Sequence, residues 1–337
     1  MNAPPSVLFL TSNTEDYLSD SLFHGLRTLL GERVVDYPKN EISYRSYPRL
    51  DAIYGRGFTL YGLLDELEVD RTLVLDRARQ GAFELIVFGD VWRYFGSFVE
   101  LLPSLRGRRV AFLDGADYPA PYPYASTFWR VPQWWFLPRA HRRGVYFKRE
   151  LTPETAQRRY FMLVPARIAE RLSFARSLRP ISFSIPEEKI VGSPPPKGKE
   201  FNAHVVDGEV AARIGATSAY AFDTEADYYA DLQASRFGIT TKRTGWDAMR
   251  HYEIAANGCV PCFRELERKP PRCAPHGLVP GANCLSYVDA DDLLRQTEAL
   301  GDAGYAALQA GALEWARGNT TRRRASEFLE ELGFPAT

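Results

Sequence analysis

The chain has 337 residues, of which 45% are hydrophobic and 25% charged; a single hydrophobic core rarely serves more than about 250–300 residues, so we expect two domains. Its 42 basic and 42 acidic residues cancel, which gives no reason to expect a nucleic-acid polymer as partner. Residues 1–10 contain no basic stretch and only a short apolar run. This argues against a signal peptide or a transmembrane segment, and we expect a cytoplasmic protein.

Short apolar runs alternate with helical patterns in the first half of the chain. The predicted strands are residues 6–10, 33–36, 83–88 and 109–113. Leucines at helical spacing in 18–30, and the segment 71–80, predict helices between them. Strands separated by helices favour a parallel sheet covered on both faces, and ligands bind such sheets at the carboxyl ends of the strands.

A proline-rich stretch at 186–200 marks the predicted domain boundary. We therefore divide the chain into an N-terminal domain (1–185), a linker (186–200) and a C-terminal domain (201–337). The final helix is expected to pack back on the N-terminal domain. Residues 118–148 are dense in Tyr, Trp, Pro and Arg, which indicates an ordered crossover in the first domain.

The second half repeats the α/β pattern, which predicts a second sheet of the same kind. The predicted strands are residues 201–206, 218–222, 236–240, 259–263 and 286–288, and the predicted helices are 227–234, 246–257, 290–300 and 305–332.

The turn 241–245, between the strand 236–240 and the next helix, has the composition of an anion site. A helix N-terminus offers unpaired backbone amides and a partial positive charge. Gly245 lets the backbone approach a ligand closely, and Lys242 and Arg243 add full positive charges.

One helical turn further on, Arg250 and Glu253 are neighbours at i,i+3. Cations and amides suit the phosphates of a nucleoside diphosphate, and a carboxylate suits its ribose hydroxyls. The alternative is a solvated ion pair worth about 0.2–0.5 kcal/mol. The predicted binding residues are Lys242, Arg243, Thr244, Gly245, Asp247, Arg250 and Glu253.

The stretch SRFGIT…GWDAMRHYEIAANGCVP resembles the donor-site signature of GT-B glycosyltransferases, in which a strand and a glycine turn lead to a helix of the form R-x-x-E-x-x-A-x-G-x-(I/V)-P. It is most similar to the exostosin-like and CgeB-like branch, over residues 228–263. The resemblance implies two Rossmann-like α/β domains that face each other across a cleft. It also implies that Glu253 binds the ribose, and Arg250 with Lys242 or Arg243 the phosphates.

The resemblance implies an enzyme that moves a sugar from a nucleotide-sugar to a hydroxyl of a glycan or another acceptor, with arginine and lysine in place of a metal and with no cofactor. Many retaining members carry two glutamates eight residues apart. Gly245 occupies the first of these positions here, and Asp247 is a possible substitute, so the stereochemical outcome stays open. A non-catalytic binding or surface-maturation protein, and a nucleotide-sugar epimerase, remain as alternatives.

In such an enzyme the N-terminal domain supplies the general base, which must lie within hydrogen-bond reach of the acceptor hydroxyl. Asp114 and Asp117 follow the strand 109–113 and are the first candidates, ahead of Asp90 and then Asp20. Asp114 and Asp117 are equally suited to a turn, and Asp90 and Asp20 to capping a helix.

The remaining chemically distinctive residues have simpler interpretations. The four cysteines are Cys259, Cys262, Cys273 and Cys284. Because Cys259 and Cys262 are three apart in an apolar strand, they point to opposite faces, and we expect buried thiols instead of a zinc site. His251 is expected to contact the donor or to lie on the surface. Arg56, between Gly55 and Gly57, either faces the cleft or belongs to a plain turn.

Overall fold

The computed structural model describes residues 4–335 apart from 13, 91, 92, 94, 120–143, 154, 156–177 and 220. In the first half, six parallel strands form one sheet in the order β2-β1-β3-β4-β5-β6. They are β1 (Val7–Leu10), β2 (Val34–Tyr37), β3 (Leu85–Phe88), β4 (Arg109–Asp114), β5 (Val145–Lys148) and β6 (Leu178–Pro180). The helices are α1 (Tyr17–Leu30), α2 (Val74–Gln80) and α3 (Phe95–Leu101).

Helix α1 shows how the sequence builds this layer. The side chain of Asp16 accepts hydrogen bonds from the amides of Leu18 and Ser19, both at 3.1 Å, and so caps the helix. Leu18 and Leu22 are buried on the face of α1 that packs in the same core as Phe9 of β1. The helix therefore begins directly after the loop that follows β1.

The second half forms a four-stranded parallel sheet in the order β10-β9-β8-β7. Its strands are β7 (Lys199–Phe201), β8 (Ser235–Thr240), β9 (Val260–Arg264) and β10 (Leu285–Tyr287). Its helices are α4 (Gly208–Ile214), α5 (Glu225–Ala234), α6 (Met249–Ala256), α7 (Ala290–Ala299), α8 (Asp302–Arg317) and α9 (Thr321–Glu331).

Some predicted elements differ in the structure. The strand predicted at 201–206 is β7, which ends at Phe201. Helix α6 begins at Met249 and not at 246, after an extended Ala248 whose side chain provides no cap. The single helix predicted at 305–332 is two helices, because Thr320 starts a new one by accepting a hydrogen bond from the amide of Arg323 at 3.2 Å. No regular strand forms in the described residues of 218–222.

Helix α9 returns to the N-terminal sheet and lies against α1. A Cβ atom at Gly25 would lie 1.9 Å from the carbonyl oxygen of Thr321, so only glycine permits this approach. The side chains of His24 and Thr321 share a hydrogen bond of 2.9 Å, and the rings of Phe147 and Phe328 are 4.7 Å apart. The exact domain limits stay a prediction, but the chain's last helix is packed on its first sheet.

One apolar core joins the two halves. It includes Phe9 of β1, Leu22 of α1, Phe328 of α9, Trp315 of α8 and Tyr252 of α6. The rings of Tyr252 and Trp315 stack with centroids 4.9 Å apart. Residues of helix α6 thus belong to the same core as residues of the N-terminal sheet and of α1.

Candidate functional site

A cleft of ≈ 680 Å³ lies where the loops of the two sheets meet. Its N-terminal wall contains Tyr17, residues between Ile53 and Phe58, and Asp117. Its C-terminal wall includes Thr240, which ends β8, and residues of the turn and helix that follow. The cleft thus lies at the carboxyl ends of parallel strands, where α/β proteins bind their ligands.

Four of the predicted binding residues line this cleft: Arg243, Thr244, Arg250 and Glu253. Helix α6 starts there, and Ala248 and Met249 also face the cleft. The first amides of a helix have no acceptor within the helix and carry partial positive charge. This wall therefore combines two guanidinium groups, helix amides and one carboxylate.

Lys242 is placed differently from Arg243. Its ammonium group turns back to the carbonyl oxygens of Arg243 and Thr244, at 3.4 and 3.3 Å, and lies 5.8 Å from the centre of the Trp246 ring. It is exposed and does not line the cleft. A contact between Lys242 and a phosphate therefore stays a prediction.

Gly245, the last residue of the turn, lies against two carboxylates of the N-terminal domain. A Cβ atom there would be 2.7 Å from Oδ1 of Asp117 and 2.7 Å from Oε1 of Glu150. The glycine therefore makes room for these two side chains, and not, as the sequence suggested, for a ligand alone.

Glu150 is a functional-site neighbour that the sequence argument missed. Its buried Oε1 accepts hydrogen bonds from the amides of Trp246 at 2.8 Å and Asp247 at 3.4 Å. The sequence predicts these amides as the N-terminus of the helix, open to a ligand. In the structure the carboxylate of Glu150 already binds them. The amides available beside the cleft therefore begin at Ala248, and that of His251 already binds the carbonyl oxygen of Ala248 at 3.1 Å. No local motif signals this contact, because its partners are nearly 100 residues apart.

The buried side chain of Asp247 connects the two halves of the chain. Its carboxylate accepts from the amide of Phe183 at 2.8 Å and from the hydroxyl of Tyr252 at 3.0 Å. Burial raises the pKa of Asp247 to about 6, against the opposing effect of Arg149. It does not line the cleft.

Arg149 ties the loop after β4 to the turn before α6. Its buried guanidinium donates to the carbonyl oxygens of Asp247 at 2.8 Å and Gly115 at 2.9 Å, and it forms an ion pair with Asp117. The charges around it raise the pKa of Arg149 despite its burial. The arrangement fixes the position of Asp117 at the edge of the cleft.

The other predicted bases lie away from the cleft. Asp114 is buried, pairs with Lys148 of β5 at 2.9 Å and accepts a hydrogen bond from Tyr146. Asp90 pairs with Arg93 at 3.1 Å. Among the predicted aspartates, only Asp117 lines the cleft in the part of the chain that is described.

Asp20 lies inside the first turn of α1, since Asp16 is the N-cap. Its carboxylate accepts from Asn40 and from the Tyr61 hydroxyl, both at 2.9 Å. Burial raises the pKa of Asp20 to about 7. Asp20 is therefore not the N-cap, as one alternative had it, although its Oδ2 accepts a hydrogen bond from the amide of Asp16 at 2.9 Å.

Glu253 is held by hydroxyl groups from both domains. Its Oε1 accepts from Thr59 at 2.5 Å and its Oε2 from Tyr228 at 2.8 Å. Its side chain is mostly buried but reaches the cleft, with 9% of its surface exposed. Burial raises its pKa. Glu253 is therefore not half of a solvated ion pair with Arg250.

His251 fits neither expectation from the sequence, because it is fully buried. Its Nδ1 bonds to the hydroxyl of Thr240 and its Nε2 to the carbonyl of Trp246, each at 2.9 Å. Burial lowers the pKa of His251 to about 4. The imidazole ring thus connects the end of β8 to the turn before α6.

Arg56 lines the cleft and pairs with Asp223 at 2.8 Å. The four cysteines are buried and free. Within the described ranges, no three His, Cys, Asp or Glu side chains gather as ligands for a metal ion. The described helices include none with the length and apolar character that crossing a bilayer requires.

Comparison with known proteins gives matches of structure alone. No family model and no curated protein matches the sequence. Anabaena Alr3699/HepE in complex with UDP matches at a TM-score of 0.57 and 12% identity, over 97% of this chain and 99% of that chain. Its complex with UDP and glucose gives 0.55 at 11%, over 98% and 100%, and its complex with UDP-glucose 0.53 at 11%, over 98% and 100%.

At such identities the likeness shows the fold and not the activity. The chain has the GT-B fold, with two Rossmann-like α/β domains that face each other across a cleft. The predicted fold class is confirmed.

Proposed function

We propose that the protein is a glycosyltransferase that moves a sugar from a nucleotide-sugar to an acceptor hydroxyl. The observation that carries this proposal is the convergence of Arg243, Arg250 and Glu253 on a cleft at the carboxyl ends of both sheets. The complexes of HepE with UDP, glucose and UDP-glucose support a nucleotide-sugar as the class of donor. Within GT-B enzymes we assign the chain to the exostosin-like and CgeB-like branch, on the spacing of Arg250, Glu253 and Pro261.

The donor would bind with its diphosphate at the first turn of α6. Arg243 and Arg250 neutralise the phosphates there, with Lys242 at the outer edge of the same turn, and Glu253 accepts from the ribose hydroxyls. As the bond between sugar and phosphate breaks, its electron pair goes to the phosphate oxygen, where fixed cations and helix amides stabilise the new charge. No metal or cofactor takes part in this proposal.

Asp117 is the remaining candidate for the base, which would take the proton of the acceptor hydroxyl as its oxygen bonds to the sugar. It faces the cleft, and its carboxylate already forms an ion pair with Arg149. The aromatic stretch 118–136 is a further prediction from the sequence, as a wall of the acceptor site or as part of the core. Apart from Tyr118 and Pro119 it lies outside the described residues.

A second candidate function is nucleotide-sugar binding without transfer. The candidate bases favour this function, because Asp90, Asp114 and Asp117 each form an ion pair with a cation of the chain. A paired carboxylate is a weaker base for the acceptor hydroxyl. An epimerase would use the same cleft to convert a nucleotide-sugar in the absence of an acceptor.

Calorimetric titration with UDP, GDP, ADP and CDP, followed by product analysis with the corresponding nucleotide-sugars, tests the proposal. We expect one diphosphate to bind best, also in the presence of EDTA, and its nucleotide-sugar to be cleaved slowly to free sugar. Binding without cleavage or transfer would favour the binding protein, and an isomeric nucleotide-sugar the epimerase. If none of the four diphosphates binds, the proposal is wrong.

A further inference from the structure

Residues 56–59 of the N-terminal domain contact helix α5 of the C-terminal domain and the residues just before it. Arg56 pairs with Asp223, and the ring of Phe58 stacks on Tyr228 with centroids 6.4 Å apart. The amide of Thr59 donates to Oε1 of Glu225 at 2.6 Å. The segment therefore belongs to the donor side of the cleft as much as to its own domain.

Thr59 has an unusual backbone conformation, with φ at +72°. A β-branched residue rarely adopts this region, because it is strained and persists only where the surroundings fix it. Glycine would fit there without strain. Thr59 therefore occupies a position whose backbone conformation favours glycine over threonine.

The Thr59 hydroxyl links two other groups of the site. It donates to Oε1 of Glu253 at 2.5 Å and shares a 2.8 Å hydrogen bond with the hydroxyl of Tyr229. A hydroxyl has one proton. Because Thr59 gives its proton to Glu253, Tyr229 is the donor in the second bond.

Tyr228 donates to the other oxygen of Glu253. Two hydroxyl groups, those of Thr59 and Tyr228, therefore bind the carboxylate directly, and the hydroxyl of Tyr229 binds that of Thr59. Each carboxylate oxygen has two lone pairs. The hydroxyls use one on each oxygen, fix the rotation of the carboxylate and leave acceptor capacity for a ligand in the cleft.

We propose that Thr59 is a positioning residue for nucleotide binding, which acts from the opposite domain by orienting Glu253 toward the ribose. This inference rests on the proposed function and adds to it a contribution of the N-terminal domain to donor affinity. By linkage, a bound nucleotide in turn strengthens the contact between the domains.

The test compares Thr59→Val, which removes the hydroxyl, with Thr59→Ser, which keeps it, and Thr59→Gly, which removes both the hydroxyl and the backbone strain. The probes are whichever of UDP, GDP, ADP and CDP binds tightest, and its 2′,3′-dideoxy form. We expect Thr59→Val and Thr59→Gly to weaken the ribonucleotide about tenfold, as for loss of a hydrogen bond to a charged group. Thr59→Ser should stay within about twofold.

The dideoxy probe separates positioning from general damage, since it has no ribose hydroxyl for Glu253 to bind. Its affinity should be the same for all four proteins. Thr59→Gly carries the test if Thr59→Val fails to fold. Equal losses for both probes would assign Thr59 a structural role only and overturn the inference.

Unchanged or tighter ribonucleotide binding in Thr59→Val and Thr59→Gly would also overturn it, while the proposed function stands. If the unsubstituted protein binds none of the four diphosphates, both proposals fall together.

Discussion

The two walls of the cleft handle charge in opposite ways. On the C-terminal wall, Arg243 and Arg250 face the cleft and form no ion pair with any described residue, although Arg250 acts electrostatically on Glu253 of the same wall. On the N-terminal side, the carboxylates of Asp114 and Asp117 are already matched by Lys148 and Arg149. A wall with unmatched cations is suited to bind an anion, whereas internally matched charges hold a scaffold together.

This difference predicts two kinds of response to substitution. Removing one partner of a matched ion pair on the N-terminal side should lower the free energy of unfolding, and removing a cation of the C-terminal wall should lower affinity for a nucleotide. Variants that mix the two responses would break the comparison.

The largest effect is expected for Asp114→Asn. It leaves the buried ammonium of Lys148 without its counter-charge, which typically costs about 3–5 kcal/mol. Urea denaturation followed by circular dichroism measures this loss, and titration of the folded protein should give an unchanged nucleotide affinity.

Removing both charges, with Asp114→Asn and Lys148→Met together, should recover part of the stability. A selective loss of nucleotide affinity in Asp114→Asn, with normal stability, would place this pair in the binding site and contradict the division between the walls.

The next effect is expected for Arg250→Ala. Losing a charged contact to phosphate should weaken diphosphate binding by about 1.5–3 kcal/mol, while affinity for the bare nucleoside changes little. Arg268→Ala is the matched control, because Arg268 is an exposed arginine of the same domain that pairs with Glu265. Equal losses for diphosphate and nucleoside would rule out a phosphate contact.

The smallest effect concerns His251, a buried group behind the C-terminal wall that has a scaffold role. Its pKa is about 4 in the folded protein, against 6.5 ordinarily, so the unfolded chain takes up its proton first as pH falls. Stability is therefore lost below pH 6.5, by about 1.4 kcal/mol for this group at pH 5.5.

The penalty of His251→Gln, measured by urea denaturation relative to the unsubstituted protein, should shrink by about this amount between pH 7 and pH 5.5. His204 and His276, whose pKa values are also lowered to about 4, remain in both proteins and serve as the common background. An equal penalty at both pH values would show that His251 is not buried as a neutral ring.

The sequence was informative where the chemistry is local. Residues 241–253 are contiguous, so strand, turn and helix place Arg243, Arg250 and Glu253 beside one another whatever the rest of the chain does. The start of α6 was less predictable, because Glu150 binds the two amides that would have opened the helix.

The N-terminal side depends on contacts between distant residues. From the sequence, Asp114 is a candidate base or a turn residue at a strand end. Its partner Lys148 is set by the register of β4 with β5. Thr59 is 194 residues from Glu253, and no spacing rule connects them. Pairings of this kind become visible only in the folded chain.

The most direct test of the account is a crystal structure of the protein with its tightest-binding nucleoside diphosphate. We predict density for the phosphates at the first turn of α6, within hydrogen-bond distance of Arg250, and for the ribose beside Glu253. A nucleotide bound on another face of the molecule, with Arg250 and Glu253 out of contact, would contradict the central claim.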